Sequence, residues 1–96
     1  MAKYQILVAD PISDKGIELL QSEPSFDVVV NLGLKQEADF AAAAAGAHAI
    51  IVRSGVKVTA KVIEAAPNLK AIGRAGVGVD NIDVPAASKR GVVVMN

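Results

Sequence analysis

The stretch AHAIIVRSGVKVTAKVIEAAPNLKAI, residues 47–72, decides the fold because two different apolar patterns alternate along it. It opens with the mainly apolar segment 47–52, which predicts a buried strand. Thr59 then predicts the start of a helix, and Pro67 predicts its end. The short segment 69–72 predicts a second strand. Strands joined by a helix run parallel, so the unit predicts a parallel sheet.

The same alternation extends along the rest of the chain, with Ser13 as a second predicted helix cap. The predicted strands are 5–9, 26–30, 47–52, 69–72 and 91–95, and the predicted helices are 14–22, 36–45 closed by Gly46, the one capped by Thr59, and 84–89. The helical residues expected to be buried include Ile17, Leu19, Leu20, Val62, Ile63 and Ala66. Right-handed crossovers favour an α/β fold: a flavodoxin-like, doubly wound, five-stranded parallel sheet in the order 2-1-3-4-5, lacking the final helix.

Composition argues against several classes of function. A chain of 96 residues forms one domain at most. Ten basic residues balance ten acidic ones and only 3% of residues are aromatic, so nucleic-acid binding has little support. The absence of cysteine excludes disulfides and thiolate metal sites. The apolar run near the N-terminus is too short for a signal peptide or a membrane span, so we expect a cytoplasmic protein that binds no membrane.

Two arginines follow neighbouring predicted strands at the edge where doubly wound sheets bind ligands. Arg53 precedes a serine and a glycine, and Arg74 opens the glycine-rich stretch at 74–78. A guanidinium offers a planar fork of donors, and small neighbours let backbone N–H groups approach the same anion. In the alternative interpretation, each arginine closes a strand at the surface or pairs with an acid such as Asp80. Taken together, the two arginines favour a site for a small anion.

Other chemistries have weaker support in the sequence. GVG at residues 76–78 lacks the third glycine and the long helix of a dinucleotide-binding fingerprint, so we expect no cofactor binding there. His48 opens a strand at the opposite edge, which favours a structural role. Asp10 follows the first strand, and its expected role is to initiate a turn before Pro11. A response-regulator receiver, which shares the fold, would need an aspartate where Arg53 stands.

The second half of the chain, IIVRSGVKVTAKVIEAAPNLKAIGRAGVGVDNIDVPAASKRGVVVMN at 50–96, carries a family pattern, and ILVADPISDKGIELL at 6–20 fits it as well. It resembles the D-2-hydroxyacid dehydrogenases, most closely their D-3-phosphoglycerate dehydrogenase branch. The resemblance implies a substrate-binding (catalytic) domain in which two loops contact the carboxylate and phosphate of the substrate. The residues that match these loops are Arg53, Ser54, Gly55, Arg74, Ala75, Gly76, Val77 and Gly78. Asp80 and Asn81 match the turn that fixes the second loop.

The resemblance also implies a limit on activity. Family members oxidise a 2-hydroxy acid with NAD, and this branch performs the first step of serine biosynthesis. Their nicotinamide-binding domain holds the cofactor and the groups that polarise the keto group and exchange the proton, and residues 1–96 contain none of these. We therefore expect a single substrate-binding domain, a fragment of a two-domain enzyme, that has no catalytic residue, metal or NAD and binds a small anionic substrate weakly. The alternative is an excised or designed stand-alone flavodoxin-like domain without activity.

Self-association is a further expectation. In a sheet of this order, a helix after the fifth strand would cover one face, and the sequence stops with that strand. We expect the face over Val92, Val93 and Val94 to be bare, and a large bare apolar patch favours association. The expected form is a homodimer or a domain-swapped pair.

Overall fold

The computed structural model describes residues 3–32, 34, 36–53, 55–75 and 81–95. Strands β1 to β5 span Tyr4–Val8, Phe26–Val30, Ala49–Val52, Ala71–Arg74 and Val93–Met95. Helices α1 to α4 span Asp14–Gln21, Glu37–Ala44, Ala60–Glu64 and Val84–Lys89. All four pairings between neighbouring strands are parallel, and the sheet order is β2-β1-β3-β4-β5. The predicted fold class and strand order are therefore confirmed.

The first and third helices begin at the caps that the sequence predicts. Ser13 Oγ accepts a hydrogen bond from the Gly16 N–H at 3.1 Å. Thr59 Oγ1 accepts one from the Val62 N–H at 3.4 Å. A hydroxyl in this position satisfies an N–H group that has no partner within the helix, which explains why both helices start at these residues.

The start of β5 and the end of β4 differ from the prediction. Gly91 adopts φ +72° and its N–H donates to Ser88 O, while the Val92 N–H donates to Ala87 O. This pair of hydrogen bonds ends α4 in a Schellman motif that needs a left-handed residue, so β5 starts after Gly91. The predicted strand ended at residue 72, but β4 continues to Arg74. Arg74 is still paired with Val52 of β3.

The core lies between the sheet and helices α2, α3 and α4, which pack side by side. Leu7, Ile50 and Ile72 are in register on neighbouring strands and form its centre. The helices and the segments at their ends contribute Phe40, Ala41, Ala44, Val62, Ile63, Ala66 and Ala87. The predicted burial of Val62, Ile63 and Ala66 is confirmed.

Helix α1 lies on the opposite face and packs against β2. Because β2 and β3 flank β1 on different sides, right-handed crossovers place α1 opposite the other three helices. Ile17 and Leu20 are half-buried, whereas Leu19 is 68% exposed. The predicted burial of Leu19 is wrong, because residues three apart share a helix face and residues two apart do not.

The face of the sheet on which α1 lies is open over β5. Ile6 and Val8 are buried there, but the in-register row across the sheet ends at Val93 and Met95, which are 57% and 53% exposed. Val92 is buried, and Val94 packs against the core. The expected bare set was therefore wrong for Val92 and Val94, because strand residues alternate between faces.

The difference in burial between Leu7 and Leu19 can be tested by substitution. Leu7→Ala should lower the free energy of unfolding by about 2–5 kcal/mol, because it opens a cavity in the core. Leu19→Ala removes the same atoms from an exposed position and should change the free energy of unfolding by about 0.5 kcal/mol or less. Urea denaturation followed by circular dichroism measures both values. Equal losses in the two variants would contradict the packing described.

Candidate functional site

Arg53 and Arg74 both lie at the carboxyl edge of the sheet. Val52 and Arg74 are register partners on the parallel strands β3 and β4, and the Ala75 N–H donates to Val52 O at 2.9 Å. Arg53 follows Val52 directly and is exposed, while Arg74 is half-buried. Ligands of doubly wound sheets bind outside this edge, so both cations are placed where a ligand can reach them.

A buried carboxylate at the end of β1 organises the loop after β3, which we call the 53–56 loop. Asp10 is 5% exposed, and its Oδ2 accepts hydrogen bonds from the backbone N–H groups of Arg53 at 2.7 Å, Gly55 at 3.1 Å and Val56 at 3.3 Å. Hydrogen bonds to an ionised acceptor are stronger than neutral ones, so this carboxylate holds the backbone N–H groups of Arg53, Gly55 and Val56 in place. Initiating a turn is therefore not the whole role of Asp10.

These contacts change the interpretation of Gly55. A Cβ atom built on Gly55 would lie 2.4 Å from Asp10 Oδ1, so only glycine lets the carboxylate approach this closely. The sequence hypothesis assigned the backbone N–H groups beside Arg53 to an external anion. In the structure, the N–H groups of Arg53, Gly55 and Val56 are already used by Asp10.

The side chain of Arg53 is held by the same turn after β1. Its Nη1 donates to the carbonyl oxygen of Pro11 at 3.3 Å. A guanidinium has five N–H donors, so this single contact orients the side chain and leaves most of its donor capacity for a ligand. The exposed position of Arg53 makes that capacity accessible from solvent.

Asn81 joins the segments that carry the two arginines. Its Oδ1 accepts a hydrogen bond from Arg74 Nε at 2.7 Å. Its Nδ2 donates to the carbonyl oxygens of Arg53 and Val56. The backbone reinforces the link, since the Val58 N–H donates to Asn81 O at 2.8 Å. A single half-buried amide therefore couples the orientation of Arg74 to the position of the 53–56 loop.

The predicted site residues fall into two groups. Those that the structure brings together at the carboxyl edge are Arg53, Gly55, Arg74, Ala75 and Asn81. Those that lie outside the described residues are Ser54, Gly76, Val77, Gly78 and Asp80. Asp10 is the site residue that the sequence did not predict. Its only signal was an acid directly after a buried strand that ends at the same edge.

An open cleft of about 430 Å³ lies beside the 53–56 loop. Phe40 and Val56 are buried apolar residues in its lining, and Lys57 is exposed at its side. Thr59 Oγ1 donates to Glu37 Oε2 across the cleft, from the start of α3 to the start of α2. This hydrogen bond holds the two helix starts together next to the loop.

The start of α4 does not fit the phosphates of a dinucleotide. The N-terminus of α4 is capped by Asp83, whose Oδ1 accepts a hydrogen bond from the Ala86 N–H at 3.0 Å. A dinucleotide fold places its pyrophosphate on the N–H groups of such a helix start. The Asp83 carboxylate both uses one of these donors and repels a phosphate.

Three further features bear on the chemistry of the chain. His48 lies at the amino edge, where its Nδ1 accepts a hydrogen bond from the Gln5 N–H at 3.0 Å and its ring meets Tyr4 edge to face. In the described ranges, no three histidine, aspartate or glutamate side chains converge closely enough to hold a metal. The described helices include none with the length and apolar character needed to cross a membrane.

Comparison with known proteins relates residues 6–96 to the D-isomer specific 2-hydroxyacid dehydrogenase family, in its catalytic domain. The chain is 49% identical over 92 residues to the D-3-phosphoglycerate dehydrogenase of Archaeoglobus fulgidus, covering 96% of this chain and 17% of that protein. It is 40% identical to the hydroxypyruvate reductase of Thermotoga maritima, covering all of this chain and 31% of that protein. The chain thus spans less than a third of the length of these relatives.

Solved structures show the same fold. An NAD+-bound 3-phosphoglycerate dehydrogenase of Entamoeba histolytica superimposes with a TM-score of 0.87 at 34% identity, covering 99% of this chain and 33% of that one. The D-lactate dehydrogenase of Escherichia coli superimposes with a TM-score of 0.76 at 21% identity, covering 96% of this chain and 30% of that one. The second likeness concerns the fold alone.

The coupling through Asn81 leads to a stability prediction. Asn81→Asp keeps the shape and the oxygen that faces Arg74, but it removes the N–H donors to two carbonyl oxygens. We expect the free energy of unfolding to fall by about 1–3 kcal/mol, because these carbonyls lose a partner and face a carboxylate oxygen. Asn68→Asp, at an exposed turn, is the matched control and should change it by about 0.5 kcal/mol or less. Thermal and urea unfolding measure both variants, and equal behaviour would contradict the role of Asn81.

Proposed function

We propose that this chain, which belongs to the D-isomer specific 2-hydroxyacid dehydrogenase family, has a particular place in a larger enzyme. It is the substrate-binding part of an NAD-dependent D-3-phosphoglycerate dehydrogenase. The observation that supports this most is the pair of arginines at one carboxyl edge, linked through Asn81. The 49% identity to two D-3-phosphoglycerate dehydrogenases supports the choice of branch. The whole enzyme would oxidise a 2-hydroxy acid at the start of serine biosynthesis.

The chemistry of the edge suits a substrate with two anionic groups. A phosphoglycerate carries a carboxylate and a phosphate, and each is a good partner for the planar donor fork of a guanidinium. Arg53 presents an exposed guanidinium, and Asn81 Oδ1 fixes the plane of the Arg74 guanidinium through its Nε. A substrate with a carboxylate alone, such as a simple 2-hydroxy acid, would offer an anionic group to only one of the two arginines.

The role of this chain in the reaction is to bind and orient the substrate. At the carboxyl edge, Asp10 is engaged by three N–H groups, and His48 lies at the opposite edge of the sheet. NAD would supply hydride transfer in the whole enzyme, and Asp83 at the start of α4 does not favour holding it here. We therefore propose that the chain alone does not turn over phosphoglycerate with NAD.

Affinity for the substrate should be weak in this chain by itself. Association costs on the order of 4–15 kcal/mol, while a hydrogen bond to a charged group contributes roughly 1.5–3 kcal/mol. Arg53 is exposed, so water screens the charge of its guanidinium. A dissociation constant of about a millimolar or weaker is the expected result.

A titration followed by NMR of backbone amides tests this proposal. Phosphoglycerate should produce saturable shifts at Arg53, Gly55, Arg74 and Ala75, and glycerate should produce smaller ones. Arg53→Ala should weaken binding about tenfold or more, since it removes charge-assisted hydrogen bonds. Lys70→Ala removes a positive charge just before β4, at the amino edge, and should leave binding unchanged.

Two results would contradict the proposal. One is the absence of saturable shifts at the carboxyl edge of the wild-type chain. The other is equal weakening by Arg53→Ala and Lys70→Ala, because general charge loss would then explain the effect.

We also propose that the chain associates with itself through its open face, as a stand-alone domain would. Val93 and Met95 are both more than half exposed on the same face of the edge strand β5. Ile51 and Ala71 lie on the same face of the sheet, in register with this part of β5, and are only half-buried. Together with Val93 and Met95 they form an apolar strip that continues toward the middle of the sheet. A contiguous apolar surface of this kind favours a symmetric dimer or an exchange of terminal elements.

Sedimentation velocity tests self-association. The wild-type chain should show a concentration-dependent shift toward a dimer, because pairing buries the apolar strip. Introducing Val93→Lys and Met95→Lys together should give a monomer, whereas Leu32→Lys, at an exposed residue beyond β2, should not. A wild-type chain that stays monomeric at high concentration would refute this proposal.

A further inference from the structure

We propose that Asp10 is a positioning residue for anion binding, acting as a built-in anion that accepts hydrogen bonds from the N–H groups of Arg53, Gly55 and Val56. At this loop, the substrate would then be recognised by the guanidinium of Arg53 and not by the N–H groups of Arg53, Gly55 and Val56. The identity of the ligand rests on the proposed function, whereas the role of Asp10 rests on the geometry of the loop.

Backbone donors after β3 converge on a single carboxylate oxygen. Three backbone N–H groups from four consecutive positions point at Asp10 Oδ2, with distances of 2.7 to 3.3 Å. Successive N–H groups that converge in this way form a concave site that elsewhere binds phosphates or carboxylates. Here the site is occupied from within the chain, by a carboxylate that is 5% exposed.

Gly55 packs closely against the carboxylate of Asp10. The three atoms nearest to a Cβ built on Gly55 all belong to Asp10: Oδ1 at 2.4 Å, Cγ at 3.3 Å and Oδ2 at 3.6 Å. Gly55 does not adopt a positive φ, so its backbone conformation is open to other residues. The glycine is therefore required by the internal carboxylate. A bound substrate is not needed to explain why residue 55 is a glycine.

Asp10 and Pro11 together fix both the backbone and the guanidinium of Arg53. Asp10 accepts its backbone N–H, and the next residue, Pro11, accepts a hydrogen bond from its Nη1. Loss of the carboxylate would release the backbone and thereby move the guanidinium that Pro11 orients. Asp10 would thus affect anion affinity through Arg53, without touching the ligand.

Asp10→Ala provides the main test, with sodium formate as the probe of the emptied site. In this variant, phosphoglycerate binding should weaken on the order of tenfold, because Arg53 is no longer held. Formate should cause saturable amide shifts at Arg53, Gly55 and Val56 in the variant and should restore part of the phosphoglycerate affinity. In the wild-type chain, where Asp10 already uses these N–H groups, the same formate concentration should not shift the amides of Gly55 and Val56 and should not raise the phosphoglycerate affinity. A residue with a purely structural role would not give rescue by a small carboxylate.

Gly55→Ala tests the same contact without removing the carboxylate, and it is informative even if Asp10→Ala does not fold. The new methyl group should displace Asp10, shift the amides of Arg53 and Val56, and weaken phosphoglycerate binding. Gly46→Ala is the matched control, since its methyl group would meet only the flexible tip of Gln5. In Asp10→Ala, adding Gly55→Ala should have almost no additional effect.

The outcomes separate this inference from the proposed function. Failure of the wild-type chain to bind phosphoglycerate would refute the proposed function, while the formate response of Asp10→Ala would still support the inference. A lack of formate response in Asp10→Ala would overturn the inference and leave wild-type binding intact. Equal behaviour of Gly55→Ala and Gly46→Ala would overturn it as well.

Discussion

The parallel pairing of β3 with β4 is the constraint on which the candidate site depends. Its register places Val52 beside Arg74, so that Arg53 and Arg74 leave the sheet at the same edge. An antiparallel pair would send the two arginines to opposite ends. The helices enforce the parallel arrangement, because α3 must return the chain across the buried face before β4 can begin. The packing of Val62 and Ile63 against Ile50 and Ile72 is therefore a condition for the site as well as for the core.

At the carboxyl edge, backbone and side chains have different tasks. The N–H groups of Arg53, Gly55 and Val56 donate to Asp10, and the carbonyl oxygens of Arg53 and Val56 accept from Asn81. Internal hydrogen bonds thus rigidify the loop, and the guanidinium groups supply the charge that an external anion would meet. Such an arrangement holds its cations in place before a ligand arrives, which reduces the ordering cost of binding.

The sequence predicted the order and direction of the elements, because each depends on local signals: apolar runs, Ser13 and Thr59 as caps, and Pro67 as a stop. It placed the ends of β4 and β5 less well, since pairing at Arg74 and the turn at Gly91 depend on partners and backbone conformation. It missed the role of Asp10 for a related reason. The three N–H partners of that carboxylate lie 43 to 46 residues later in the chain, and no local pattern connects them.

We propose that the two guanidinium groups at one edge bind the same small acid, and a crystal structure of the chain with 3-phosphoglycerate tests this. We expect electron density for the ligand outside the ends of β3 and β4, with its two anionic groups within hydrogen-bond distance of Arg53 and Arg74. Ligand density at any other place on the molecule, with both arginines bonded only to protein atoms, would show that the two arginines do not form the site.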